Sequence, residues 1–443
     1  MPNTAKSAAL PMATLPSLTF ELIQHKLRNG LRVVLAPDSR SPVVGVGVLY
    51  DVGFRSEPEG RTGFAHLFEH LMFQGSANLE KLAHFRIVQS SGGIFNGSTH
   101  LDYTNYFEVL PAHALERALF LEADRMRSPR INEETLQNQI DVVKEEIRVN
   151  VLNRPYGGFP WLMLPPVLYD TFPNAHNGYG GFEDLTNATV EDAAGFFDSY
   201  YAPANAVLCV AGGLRPDETL ELIERHFGGL RRRRRPARPD FAEPPLTSER
   251  RSEHPDPLAP MPALALGYRL PDPATDLPDY LAYVLLAELL SDGDASRLHR
   301  SLVQSQRLVT DVGAYLGTFG DPLEERDPTR FNITAHYSDR RATEQVIAAI
   351  DTELDRLATD GTEPRELDRV RLRFAATISR QLDQVIDRSL EFAKFELIYG
   401  DAATILRLPK MLAGVTDADV RAAASRLKPA GRAVVELIPG AAR

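Results

Sequence analysis

Cysteine is almost missing from this chain. Cys209 is the only one in 443 residues, so no disulfide can form within it. It lies in the apolar run NAVLCVAGG, which marks a buried strand residue rather than a reactive thiol. Long apolar runs are missing too, and no stretch is long or apolar enough to span a membrane. The first residues, MPNTAKSAALPMATLPS, are interrupted by prolines and have no apolar core of the length a secretory signal needs. The expectation is a cytoplasmic protein with no membrane contact. Positive charge is also in deficit. The net charge of −11 argues against general nucleic-acid binding. Arg231 to Arg235, followed by Pro236, are the local exception. They sit in a Pro-rich stretch between two patterned halves and read as solvated linker.

What remains is ordinary globular composition, 43% hydrophobic and 25% charged, in a chain long enough for two substantial domains. The first half opens with alternating strands around an Asn29-Gly30 turn, and strand, helix, strand, helix, helix then follow. PALALGYRL, LAYVLLAELLSDG, RFNITAHY, ATEQVIAAIDTELDRLATDG and EPRELDRVRLRFAATISRQL repeat that order in the second half. The pattern predicts an α+β fold of two duplicated domains, each a mainly antiparallel sheet with packed helices. The expected boundaries are a flexible segment 1–17, a first domain 18–235, a Pro- and charge-rich linker 236–262 and a second domain 263–443.

One pentapeptide carries chemistry. His66, Leu67, Phe68, Glu69 and His70 spell H-x-x-E-H. In a helix His66 and His70 lie one turn apart on one face, where two imidazoles can bind one zinc ion. Glu69, three residues after His66, is on the same side and within reach of a metal-bound water. The order is the reverse of H-E-x-x-H and is the inverzincin signature. Thr62 is placed to cap the helix, and Phe64, Leu67, Phe68, Leu71 and Met72 give it an apolar stripe. Gly75 suits its exit. Two histidines at i, i+4 with a Glu between them are poor core material.

Zinc in a hydrolase usually has three protein ligands and one open position. The best source of a third ligand is the predicted helix NEETLQNQIDVVKEEIRVN, with Asn132 as its N-cap and Glu133 and Glu134 in the first turn. Its apolar stripe is Leu136, Ile140, Val143 and Ile147. At 100° per residue Glu145 falls opposite that stripe and Glu146 on its flank. Glu146 can therefore reach an interior site, while Glu145 faces water.

NGLRVVLAPD, VGFRSEPEGRTGFAHLFEHLMFQGS, GGIFNGSTHLDYTNYFEVLP, QNQIDVVKEEIRVN and FFDSYYAPANAVLCVAGGL each resemble a landmark of one family, in that family's order. The chain resembles the insulinase/pitrilysin family of inverzincin metallopeptidases. The likeness is greatest to its smaller bacterial type and to the zinc-bearing subunit of mitochondrial processing peptidase. The resemblance implies two related domains forming half of a clamshell around a peptide chamber. It implies one zinc per chain held by His66, His70 and Glu146, with Glu69 as general base. The 75 residues between His70 and Glu146 agree with the family's spacing. Where the family often has a further Glu, this chain has Gln139, a departure that bears on tuning of the ligands. GGIFNGST resembles the edge strand that pairs with a substrate backbone, which implies peptide contact at Asn96 and Gly97.

A second departure bears on completeness. Self-sufficient members carry an Arg and a Tyr in the C-terminal half that hold substrate and stabilise an oxyanion. Here the aligned positions are Val303 and Thr310. The expectation is a catalytic subunit acting on peptides or unfolded segments. Its expected partner is a homologous subunit that lacks H-x-x-E-H and supplies the Arg and Tyr. The alternatives are a self-sufficient homodimer, with Tyr315 or Tyr337 as the donor, and a non-catalytic scaffold.

Overall fold

The computed structural model describes residues 18–440; the expected flexible segment 1–17 lies outside the described residues. The Asn29-Gly30 turn, with Gly30 at φ +101°, joins β1 (Ile23–Lys26) to β2 (Arg32–Pro37) as an antiparallel hairpin. After β3 (Val43–Tyr50) come α1 (Phe64–Leu71), α2 (Ala83–Ser90), β4 (Ile94–Thr99) and β5 (Thr104–Pro111). Then follow α3 (Leu115–Arg127), α4 (Glu133–Ile147), the short α5 (Pro165–Leu168), α6 (Val190–Tyr200), β6 (Ala206–Gly212) and α7 (Pro216–Phe227). The six strands line up as β1-β2-β6-β3-β5-β4. Every residue of β6 is buried, as its unbroken apolar run requires of a central strand.

The second half contains β7 (Arg250–Asp256), β8 (Ala263–Leu270), α8 (Leu277–Ser291), β9 (Asp311–Leu316) and β10 (Thr329–His336). It continues with α9 (Thr343–Asp360), α10 (Pro364–Gln381), α11 (Val385–Ile398), α12 (Thr404–Gly414), α13 (Asp417–Arg426) and β11 (Arg432–Pro439). Its sheet runs β7-β11-β8-β10-β9. Without β1 the two sheets have the same order. Each has one parallel pair, β2 with β6 and β7 with β11, and is otherwise antiparallel. The fold is α+β and its architecture is duplicated. No described helix is long and apolar enough to cross a membrane.

The stretch expected as linker, 236–262, is linker only in part, because Arg250–Asp256 form β7. This edge strand escapes the apolar alternation rule because its side chains are held by ion pairs instead. Arg250 meets Asp170 at 2.8 Å, and Arg251 meets Glu249 and Glu344. The arginine run is likewise not fully solvated. Arg233 lies over the Phe197 ring and pairs with Asp198, while Arg235 and Arg238 both reach Asp51.

The halves do not cover their own sheets alone. α11, from the second half, packs on β2, β3, β5 and β6 of the first sheet. Gly45 and Gly47 make room for it: a Cβ at Gly45 would come 2.8 Å from the Val385 carbonyl oxygen, and one at Gly47 3.2 Å from that of Ser389. In return Leu164, Leu168 and Tyr169, in and around α5, pack on Ala265, Ala433 and Val435 of the second sheet. Buried Arg55 adds a polar tie. It pairs with Asp102 at 3.4 Å and donates to the carbonyl oxygens of Arg326 and Pro328. Gly45→Val should therefore lift α11 from the first sheet and lower stability by about 1–3 kcal/mol, read by thermal denaturation. An unchanged melting temperature would mean that this contact does not hold the halves together.

Candidate metal centre

The short helix α1 is placed from outside its own sequence. Its N-cap is Gly63, at φ +86°, and no side chain of the cap residue bonds to the helix. The expected Thr62 cap is not made, because the Thr62 hydroxyl donates to Asp184 at 2.6 Å. Glu57 serves instead. Its buried carboxylate accepts from the N–H groups of Gly63 (2.9 Å) and Ala65 (2.8 Å), satisfying orphan donors where the helix dipole favours negative charge. His176 closes the other side of that carboxylate at 3.1 Å. A Cβ at Gly63 would stand 2.6 Å from Gly180 Cα, so this glycine also admits the 178–181 segment.

α4 begins where expected. Asn132 accepts from the Thr135 N–H at 2.9 Å, and the Thr135 hydroxyl accepts from the Asn132 N–H at 3.0 Å. Leu136, Ile140, Val143 and Ile147 are buried. Glu145 is exposed and bonded to Arg148, whereas Glu146 turns toward α1.

The structure brings His66, His70 and Glu146 together. Glu146 Oε2 is 3.4 Å from His66 Nε2 and 3.5 Å from His70 Nε2. All three donor atoms lie within 4.8 Å of one another. Tetrahedral zinc with bonds near 2.0–2.1 Å sets neighbouring ligand atoms about 3.3–3.4 Å apart, and the two oxygen–nitrogen spacings fit it. The electrostatics agree. Burial lowers the His70 pKa, but the hydrogen bond and charge of Glu146, with Glu69 and Gln139 adding, leave it raised. Burial raises Glu146, but the two imidazoles bring it down to about 2. The carboxylate thus stays ionised beside the two imidazoles.

Glu69 points into the same space and is held by the Thr99 hydroxyl, which donates to its Oε2 at 2.7 Å. Thr99 ends β4, an edge strand whose one pairing is with β5. Asn96 and Gly97 are on that strand. A Cβ at Gly97 would be 3.3 Å from Glu69 Cγ, so the edge runs right beside the candidate base. The Gly97 N–H donates to its neighbour's Asn96 Oδ1 at 2.9 Å. Gln139 is buried and lies beside His70.

Other expected positions are elsewhere. Val303 lies on the turn 299–305 against the second-half core, and the Thr310 hydroxyl donates to the His336 carbonyl oxygen at 3.0 Å. Tyr337 is buried with its hydroxyl on Thr343 at 2.8 Å, so burial in its own half corrects the reading of it as a substitute donor. Tyr315 sits on β9 of the second sheet. Sequence reasoning passed over Tyr179, whose ring stacks on that of His66 at 4.7 Å and 20°. A second group, His84, Glu108 and Glu122, also converges within 4.8 Å. There Arg125 pairs with Glu122 and lies over Phe73 and Tyr106, so the cluster already contains its cation.

The family model described as "Insulinase (Peptidase family M16)" matches residues 32–155, and that described as "Peptidase M16 inactive domain" matches 187–374. The zinc protease PqqE of Helicobacter pylori is 30% identical over 373 residues, covering 83% of this chain and 82% of the relative. The chain belongs to peptidase family M16. It is also similar to the mitochondrial-processing peptidase subunit beta of Bos taurus, 28% identical over 46% of this chain and 41% of that one. A crystal structure of a protease from Helicobacter pylori superposes with a TM-score of 0.85 and 28% identity, covering 96% of this chain and all of that one.

Within this M16 chain the two neighbouring carboxylates of α4 should behave differently. Glu146→Gln should weaken zinc binding beyond the ~10–100-fold loss typical of an outer-sphere partner, and Glu145→Gln should leave it within about twofold. Zinc titration of both variants checks this, and a larger loss from Glu145→Gln would reverse the assignment.

Proposed function

We propose that this chain is the catalytic subunit of a zinc metalloendopeptidase acting on peptides or unfolded segments. The observation that carries the reading is the meeting of His66, His70 and Glu146 at ligand spacing, with Glu69 beside them. These three residues would hold one zinc ion, which when bound supplies the Lewis acidity to acidify a water and polarise the scissile carbonyl. Glu69, fixed by Thr99, takes the proton of the attacking water and later passes it to the leaving amine. A peptide strand adds to the free edge of β4 by main-chain hydrogen bonds, with Asn96 giving up its bond to the Gly97 N–H. Glycine at 97 lets the substrate backbone approach Glu69 closely.

The assembly is part of the proposal. Val303 and Thr310 put neither an Arg nor a Tyr where an oxyanion would be held, and Tyr337 is closed off. A homologous partner subunit that lacks H-x-x-E-H supplies those groups across the chamber. Similarity to a protein named as a subunit supports this reading. A self-sufficient homodimer is the competing assembly.

Glu69→Gln should keep about one zinc per chain and lose peptide hydrolysis by at least ~10²-fold, since it removes a base and not a ligand. Metal analysis and peptide cleavage are the two readouts, and an active Glu69→Gln protein would end this mechanism. The chain alone should cleave test peptides poorly, and adding the partner should raise turnover by about 10²–10³-fold, the weight of an oxyanion donor. Light scattering alongside the assay decides the assembly: full turnover by a homodimer of this chain would refute the heterodimer.

A further inference from the structure

Tyr179 is the described aromatic hydroxyl in direct contact with the candidate metal ligands, and its setting is that of a rigidly presented side chain. Its ring lies flat on His66. Trp161 meets it edge-on at 5.3 Å and in turn touches Phe319 of the second half at 5.7 Å. The backbone on either side is tightly fitted. A Cβ at Gly178 would run into Phe54, and Gly180, at φ +105°, would place one 3.0 Å from Gly63 Cα. The Tyr179 N–H is bonded to Asn177 Oδ1 at 2.9 Å. The segment is thus clamped against the start of the helix that carries both histidines.

The hydroxyl is oriented as well as placed. Asn150 Nδ2 donates to the Tyr179 oxygen at 3.2 Å. Asn150 stands on the π-helical turn Arg148–Leu152 that directly continues α4 beyond Glu146, so the phenol is anchored to the helix of the third candidate ligand. With that lone pair engaged, the phenol's own proton is free to donate, and among the described residues no acceptor takes it. A phenol is protonated at neutral pH and makes a neutral donor of the kind that suits an oxyanion.

We propose that Tyr179 is a catalytic hydrogen-bond donor of this chain, its O–H donating to the substrate's carbonyl oxygen as that oxygen becomes the oxyanion. This rests on the peptidase reading above. When the attacking water's oxygen bonds to the carbonyl carbon, the C=O π pair moves onto the carbonyl oxygen. Tyr179 stabilises that charge without giving up its proton, and the water's proton goes to Glu69. The donor adds to whatever a partner subunit supplies and makes up in part for Val303 and Thr310.

The test uses Tyr179→Phe, which keeps the ring on His66 and removes only the hydroxyl, together with Asn150→Leu, which removes its orienting donor. The probes are zinc content, the d–d spectrum of the cobalt-substituted protein, and binding of a peptide phosphonamidate, a tetrahedral analogue. Trp161 is the chain's one tryptophan and reports binding by its fluorescence. Tyr179→Phe should keep its metal and cobalt spectrum, hold KM within about twofold, and lose at least about tenfold in both kcat and phosphonamidate affinity. Asn150→Leu should show the same pattern more weakly. Unchanged kcat and phosphonamidate affinity would overturn the proposal. So would loss of metal from Tyr179→Phe, which would make the residue a support of His66. A wild-type protein that takes up no zinc would instead bring down the peptidase reading itself.

Discussion

The placement of α1 depends on one buried carboxylate. Glu57 is 3% exposed and holds two backbone N–H groups at the start of an eight-residue helix that has no cap of its own. A helix this short is marginal by itself; tertiary contacts must fix both its axis and its rotation. Glu57 fixes the start, and Tyr106, whose hydroxyl donates to the Phe68 carbonyl oxygen at 3.2 Å, fixes the far end from β5. The directions of His66, Glu69 and His70 follow from those two anchors. The 178–181 segment, admitted by Gly63, is held by the same arrangement, which is why an aromatic ring can lie against His66.

Exchange of cover between the halves sets the surroundings. The first sheet shares its apolar core with the second half: Val34, Leu49, Val207 and Cys209 belong to the same cluster as the residues of α8 and α11. Moving one half against the other would expose α11 and the α5 contact together. The buried tie of Arg55 and Asp102 to the 326–328 loop would break as well. Because removing one partner of a buried ion pair is costly, these contacts hold the two halves of the chain together. The β4 edge and Phe319 of the second half are thereby held in one relation to each other.

The parts of this arrangement that local pattern encodes were legible in the sequence. A helix with histidines at i, i+4 and a helix whose wheel turns Glu146 inward need only their own residues to be recognised, and the structure brings these three side chains together. The duplicated strand order was legible for the same reason. What was not legible depends on distant pairing. Nothing near Glu57 announces that it will cap a helix starting seven residues later. β7 hides because its charged side chains are satisfied by Asp170 and Glu344, far along the chain. Tyr179 reads as loop until Gly63 and Gly180 are seen to touch, and Tyr337 looks available until burial and Thr343 claim its hydroxyl.

Duplication also shows what the helix pair asks for. In the second half the corresponding pair, α8 and α10, carries Glu288 on one helix, with Asp292 just past its end, and Arg369 and Arg373 on the other. Arg373 meets Asp292 at 2.7 Å. Burial, helped by Asp292, pushes Glu288 up to about 7 against the pull of the two guanidinium groups. Partly buried polar groups between two packed helices are stabilised by partners close at hand. One copy provides them as arginines built into its own helix. In the other, no arginine or lysine among the described residues pairs with Glu146, and two imidazole nitrogens converge on one carboxylate oxygen. Tyr179 stacks on one of those imidazoles, and Glu69 and the β4 edge lie alongside the same helix.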